Sequence, residues 1–385
     1  MKILSVVGAR PNFMKIAPFI REINEYNSLS NSKDKIEHLL VHTGQHYDDR
    51  MSKAFFEALR IPEADINLGV GSGTHSEQVG RTMIEFEKVL KSESPDWVVV
   101  LGDVNATLAC SVTAKKEGFK VCHIEAGLRS YDMGMPEEIN RIVTDRLSDI
   151  LLVPDRLSEA NLLKEGIDQD AIYFVGNIMI DTLVGNREEA SALKISDIVA
   201  SNLYSGSPSG SSLRGFALIT LHRPSNVDNK DILGKLVDYI SQEVTQDMNV
   251  IWALHPRTRK NLEEFGFIDK LSTSQGVVLL HPLNYHEILK LNLEAGIVFT
   301  DSGGLQTESS VLGSPCLILR WNTEWIVTLH ENGGNSWLVG NDIEEIKDKY
   351  NTIIALERKP SKPELWDGMT AKRSLEAIIR HTKQQ

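Results

Sequence analysis

The 385-residue sequence predicts an α/β protein of two doubly wound domains. Three observations carry this. Short apolar, β-branched runs alternate with helix-period segments along nearly the whole chain. The alternation lapses once, over residues 186–214, where Ser205-Gly206-Ser207-Pro208-Ser209-Gly210-Ser211-Ser212 is rich in turn formers. Most reactive polar residues stand just after an apolar run, and parallel sheets bind ligands at the carboxyl ends of their strands. The expected layout is an N-terminal domain at 1–185, a flexible linker at 186–214, a C-terminal domain at 215–368 and a closing helix at 369–385. The two strand-end rims are expected to face one central cleft.

Taken in order, Lys2–Val7 is a strand ending at Gly8-Ala9-Arg10-Pro11, followed by a helix through Met14, Ile16, Phe19 and Ile23. Leu39–His42 is a second strand, and Ala54–Leu59 reads as helix. Gly69–Gly73 is polar and flexible, and precedes an amphipathic helix from Ser76 to Leu90 with Val79, Met83, Phe86 and Leu90 on one face. Trp97–Leu101 is a continuous apolar run, as a strand buried on both faces should be, and Val121–Ile124, Ile150–Val153 and Tyr173–Val175 read as further strands. Pro136 opens a helix whose first turn carries Glu137 and Glu138. Past the linker, strands are predicted at Phe216–Thr220, Val250–Leu254, Val277–Leu280, Gly296–Thr300, Pro315–Leu319 and Trp337–Val339.

A net charge of −12 argues against nucleic acid or an anionic membrane as partner, and no apolar stretch approaches the roughly 18 residues that span a bilayer. The three cysteines, Cys110, Cys122 and Cys316, lie in apolar surroundings and suggest no disulfide framework. With an N-terminal apolar run too short for a signal peptide, a cytoplasmic protein is expected. There is no HExxH, GxSxG, Walker loop or full GxGxxG, so neither a catalytic metal nor a cofactor is predicted.

The strand ends carry Arg10, Gln45-His46, Asp103, Glu125, His222-Arg223, His255 with Arg257, Asp301-Ser302 and Glu324. The stretch Thr300-Asp301-Ser302-Gly303-Gly304 runs strand, glycine turn, helix, an order that offers backbone N–H groups to an anion. Glu308, further along that helix, could reach ribose hydroxyls. Each residue also has a plainer reading. Asp103 alone reads as a helix cap, Glu138 as a dipole-favoured surface residue, and His222 and His255 as satisfied core histidines. Arg257 suits either a phosphate or a surface acid. Glu125 is followed by Ala-Gly and has no obvious capping role.

The segments GARPNFMKIAP (8–18), HTGQHY (42–47), GDVNAT (102–107), HIEAGLRS (123–130), MPEEINR (135–141), TLHRPSNVDN (220–229) and TDSGGLQTE (300–308) together resemble the non-hydrolysing UDP-N-acetylglucosamine 2-epimerases. The resemblance implies two Rossmann-like domains of the glycosyltransferase-B type. It also implies reversible interconversion of UDP-N-acetylglucosamine and UDP-N-acetylmannosamine, in which UDP is eliminated to leave a 2-acetamidoglucal and then re-added. By resemblance Asp103, Glu125 and Glu137 are the acid–base groups, and His222 contacts the diphosphate and assists its departure. Arg10, Lys15, Ser302, Gly303 and Gly304 would hold UDP, with Glu308 on the ribose. Gln45, Arg223 and His255 match a second, allosteric UDP-sugar position. The family is commonly dimeric, so a homodimer is expected, with a UDP-sugar as small-molecule partner. One departure stands out: Thr323-Glu324-Trp325 occupies the place of the family's TERPE, a tryptophan for its arginine. Competing readings are the same mechanism on a UDP-2,3-diacetamido uronate, a hydrolysing epimerase releasing N-acetylmannosamine and UDP, or a UDP-sugar glycosyltransferase or binding module.

Overall fold

A computed structural model describes residues 1–44, 59–206 and 215–384, with Arg10 and Pro11 described by their backbone alone. The chain divides into two units: Met1–Gly185 with Glu364–Gln385, and Asn186–Pro363. The helix expected at Ala54–Leu59 falls almost entirely outside the described residues.

Among the described residues the first unit is built on seven strands: β1 (Lys2–Val7), β2 (Glu37–His42), β3 (Ile66–Asn67), β4 (Trp97–Leu101), β5 (Lys120–Ile124), β6 (Ile150–Val153) and β7 (Ile172–Phe174). They pair in the order β3-β2-β1-β4-β5-β6-β7, every neighbour parallel. The order reverses between β1 and β4, which makes their carboxyl ends the topological switch point of the sheet. β4 is buried at all five positions because helices cover both its faces. Four helices position the residues of interest: α1 (Arg10–Leu29), α2 (His75–Glu93), α3 (Asn105–Lys116) and α4 (Pro136–Leu147). Thr74 caps α2 with a capping box to Glu77, and the helix begins at His75, one residue before the predicted start.

The second unit repeats the plan with β8 (Leu203–Gly206), β9 (Ala217–Thr220), β10 (Val250–Ala253), β11 (Val277–Leu280), β12 (Ile297–Thr300), β13 (Cys316–Ile318) and β14 (Ser336–Leu338). Their order is β14-β13-β12-β9-β10-β11-β8, all parallel except β8, which runs antiparallel along β11. The switch point here lies between β9 and β12, whose carboxyl ends lead to His222 and to Asp301. Helix α5 (Gly303–Leu312) follows β12 directly. Apolar clusters fill both faces of this sheet, one around Trp252, Phe299 and Tyr350, the other around Phe216, Ile251 and Leu305.

Two expectations on the segmentation need correction. Residues 186–206 are not a soft linker: the helix Ile178–Ala192 runs across the boundary, a second helix covers Ile195–Asn202, and β8 closes the edge of the sheet. The open edge of β11 supplies the pairing that the sequence of β8 does not advertise, while 207–214 lie outside the described residues. The C-terminal domain also ends earlier than residue 368. Trp366 is buried and donates its Nε1–H to the Pro154 carbonyl at 2.9 Å. The last helix, α6 (Thr370–Gln384), is capped by Asp181, which accepts from the Thr370 and Ala371 N–H groups at 3.1 and 2.7 Å. Both contacts tie the chain's end to the first unit. Among the described residues no helix is long and apolar enough to cross a membrane, and the three cysteines are buried free thiols.

Candidate functional site

In the second unit the β12–α5 turn is an anion-ready helix start. Ser302 is the N-cap, its Oγ accepting from the Leu305 N–H at 3.5 Å, and its own N–H goes to Thr300 Oγ1 at 3.0 Å. The Gly303 and Gly304 N–H groups remain as first-turn donors at the positive end of α5. A side chain at Gly303 would be crowded. A Cβ there would lie 2.8 Å from Glu324 Oε1 and 3.1 Å from both Cδ1 and Nε1 of the Trp325 indole.

That crowding shows where the departure from the family pattern sits: the buried Trp325 packs against the glycine turn. Gln306 of α5 holds its loop, donating to the Trp325 carbonyl at 3.3 Å and to Thr328 Oγ1 at 2.8 Å, and accepting from Thr323 Oγ1 at 2.9 Å. Glu324 is paired with the buried Arg320 at 2.7 Å.

Asp301 is the residue that sequence reasoning noticed without giving a role. It is fully buried, and its carboxylate gathers the N–H of His222 (3.0 Å), the N–H of Arg223 (2.9 Å), Asn226 Nδ2 (2.9 Å) and His222 Nδ1 (2.8 Å). Burial pushes this carboxyl up, but the His222 imidazole and the surrounding N–H donors outweigh it and hold it below the usual range. The ionised Asp301 therefore fixes Nδ1 of His222 as a donor and leaves Nε2 of the half-exposed ring for chemistry. The signal available in sequence was an acid at the end of one strand and a histidine at the end of its parallel neighbour.

Glu308 lies one further turn along α5, buried, with Oε1 accepting from Tyr285 OH at 2.9 Å. Burial raises its carboxyl to about 7, and the Tyr285 hydrogen bond, pulling the other way, does not offset it. His255 caps the helix Pro256–Glu264 through Nδ1 and its ring lies 5.3 Å from that of His222. Arg223 donates Nε–H to the Asp301 carbonyl at 3.0 Å. Arg257 is committed to Asp228 at 2.7 Å, the surface-acid reading of that residue.

In the first unit, Glu125 follows β5 with φ 76°, a left-handed backbone that is costly for any residue with a side chain. It is buried; Oε1 meets Lys15 Nζ at 2.6 Å, while Oε2 is enclosed with no hydrogen-bond partner among the described residues. Burial raises its carboxyl, Lys15 lowers it, and nearby Asp103 raises it further; the net direction is up. Lys15, expected among the UDP ligands, is thus committed to the base candidate. Gly102, on whose missing Cβ the Lys15 ammonium would impinge at 2.6 Å, makes room for this pair.

Asp103 does not cap α3. The N-cap is Val104, without a side-chain hydrogen bond, and Asp103 Oδ2 instead accepts from Arg141 at 2.6 Å. Arg141 reaches Glu138 with its other terminal nitrogen, also at 2.6 Å. The surface reading of Glu138 fails as well: it is buried and accepts from Ser130 N, Ser130 Oγ and Tyr131 N at 3.0, 3.0 and 2.9 Å. Its partners come from the irregular loop before α4, which no local pattern reveals. Glu137 sits half-buried in the first turn of α4. Gln45 lies outside the described residues, as does the side chain of Arg10.

A family model described as UDP-N-acetylglucosamine 2-epimerase matches residues 28–379. A UDP-N-acetylglucosamine 2-epimerase of Methanococcus maripaludis is 40% identical over 377 residues, covering 96% of each chain. The UDP-2,3-diacetamido-2,3-dideoxy-D-glucuronate 2-epimerase of Pseudomonas aeruginosa is also 40% identical, over 357 residues and 92% of each chain. Among solved structures, the Methanocaldococcus jannaschii UDP-GlcNAc 2-epimerase in complex with UDP-GlcNAc and UDP superimposes with a TM-score of 0.84, at 38% identity and full coverage of both chains. The chain belongs to the UDP-N-acetylglucosamine 2-epimerase family and is an isomerase of that kind.

Proposed function

We propose that the protein interconverts UDP-N-acetylglucosamine and UDP-N-acetylmannosamine by anti elimination and re-addition of UDP. The observation that carries this is Glu125, a buried carboxyl group with one oxygen on Lys15, the other without a partner among the described residues, and a strained backbone. The C2 proton is not beside a carbonyl, so removing it needs a leaving group that takes the electrons. In the forward step a carboxylate accepts the C2 proton, the C–H pair becomes the C1=C2 double bond, and the C1–O bond breaks with its electrons going to the β-phosphate of UDP. His222, oriented by Asp301, supplies a proton or hydrogen bond to that oxygen, and the Gly303–Gly304 amides stabilise the diphosphate. In the return step a second acid protonates C2 from the opposite face and UDP adds back to C1. Asp103, Glu125 and Glu137 divide these proton transfers among them. Glu308 accepts the ribose hydroxyls, Arg10 supplies a cation to the diphosphate, and Lys15 serves Glu125.

A second reading keeps this chemistry and changes the sugar to a UDP-2,3-diacetamido uronate. It is favoured by Trp325, an indole where the family carries arginine, and by a relative of that specificity being as similar as the archaeal one. A proton NMR time course in deuterated water with each sugar nucleotide tests both. The proposal expects deuterium at C2 and a manno product from UDP-N-acetylglucosamine. Turnover of only the diacetamido uronate would move the assignment to the second reading, and free sugar with UDP would overturn both.

A further inference from the structure

Two residues before Glu125 on β5, His123 is fully buried in a strand whose other inward positions are apolar. Its Nδ1 lies 2.7 Å from Asp145 Oδ1, and its Nε2 lies 2.8 Å from the Gly102 carbonyl. Both partners are acceptors. A neutral imidazole has one N–H and satisfies only one of them, whereas each ring nitrogen has an acceptor within hydrogen-bond distance. Asp145 is an acceptor in its own right: its second oxygen takes Arg129 at 2.7 Å and the Gly127 N–H at 3.1 Å. Burial pushes the Asp145 carboxyl up, and His123 and Arg129 overcome that and hold it below its usual range. Arg129 then closes on both oxygens of Glu165 at 2.8 and 2.7 Å. The result is a row of alternating charge that runs inward from the exposed Glu165 through the buried Arg129, Asp145 and His123 and ends on the peptide that joins Gly102 to Asp103.

We propose that His123 is a fixed imidazolium that positions Asp103 relative to Glu125 and keeps Glu125 ionised for proton abstraction. This rests on the reading of Glu125 as a C2 acid–base group. Three charged groups act on the Glu125 carboxyl: Lys15 of α1 in direct contact, then Asp103 after β4, then His123 two residues back along the chain. Burial and Asp103 favour its neutral form, and Lys15 and His123 favour the carboxylate. Removing the His123 charge leaves Lys15 alone against the burial, so the pH at which the base becomes available rises.

Glutamine at 123 separates the two roles, since its amide can still donate to the Gly102 carbonyl but carries no charge. His123→Gln is expected to bind UDP as the wild type does. Its C2 exchange should lose roughly tenfold on the acid side for each pH unit the limb moves, and recover toward the wild-type rate at high pH. His123→Ala, which loses the anchor too, should be slow at every pH. Nitrogen NMR of the wild-type protein, which needs no variant, should find both ring nitrogens of His123 protonated at neutral pH. A neutral ring, or a His123→Gln profile identical to the wild type, overturns the inference. Glu125→Gln keeps the two readings apart. If that variant still exchanges C2, Glu125 is not the base and this inference falls with it. If it is inactive while His123→Gln is unaltered, the role of Glu125 stands and His123 has none.

Discussion

Replacing Glu308 with glutamine should remove most of the pH dependence of nucleotide binding that this protein adds to that of UDP itself. Glu308 is buried with a carboxyl raised to about 7, and the proposed ribose hydroxyls donate to its ionised form. At pH 5.5 only about 3% of it would be ionised, so UDP binding should be weaker than its high-pH plateau by roughly 30-fold, about 2 kcal/mol. Titration calorimetry with UDP between pH 5.5 and 8.5 reads this directly. The UDP phosphate ionises in the same window, but equally for both proteins, so the difference between wild type and Glu308→Gln isolates the glutamate. The wild type should gain affinity as pH rises through about 7 while the variant follows only the phosphate. Parallel curves would refute the reasoning. The same carboxyl has a stability consequence of definite sign. Its folded value lies above the ordinary 4.5, so its contribution is fully present below that pH and is lost as pH rises through about 7. Without ligand, the variant should therefore resist denaturation better than the wild type at pH 8.5, by up to about 3 kcal/mol, and show no such advantage at pH 4.5.

Two substitutions probe the turn and its histidine. Asp301→Asn turns one acceptor oxygen into a donor facing the N–H groups of His222, Arg223 and Asn226. It should cut kcat on the order of 100-fold or more by releasing the His222 tautomer, with a smaller effect on UDP affinity; an unchanged kcat would deny His222 its role. Gly303→Ala places a methyl 2.8 Å from Glu324 Oε1 and 3.1 Å from the buried indole of Trp325. A folded variant with weakened UDP binding is expected by calorimetry, and undiminished affinity would place the diphosphate elsewhere.

The parallel strands were the most legible part of the sequence, because burial on both faces turns Trp97–Leu101 or Val277–Leu280 into unbroken apolar runs. The edges were not. β3 is two residues long, and β8 contains Ser205 and Gly206, which read as loop until the free edge of β11 supplies their hydrogen-bond partners. The return of the chain to the first unit depends on Trp366 finding the Pro154 carbonyl, a contact 212 residues away in sequence. At the site, strand ends located Glu125, His222 and the glycine turn, since position after a strand is a local property. Charge partnership is not local. Asp301 holding His222, Arg141 bridging Asp103 to Glu138, and Lys15 on Glu125 each join segments tens of residues apart. His123 did leave a trace: a histidine in the middle of Val121–Ile124, at a position where a fully buried strand should have carried an apolar side chain.

The central claim is that UDP leaves the sugar and comes back. UDP-N-acetylglucosamine labelled with oxygen-18 in the bridge between C1 and the β-phosphorus tests it most directly. As the epimer forms, the label is expected to spread from the bridge into the non-bridging oxygens of the β-phosphate, because departed UDP can return through any of them. UDP-N-acetylmannosamine forming with the label still confined to the bridge would mean that the C1–O bond never broke, and would contradict elimination.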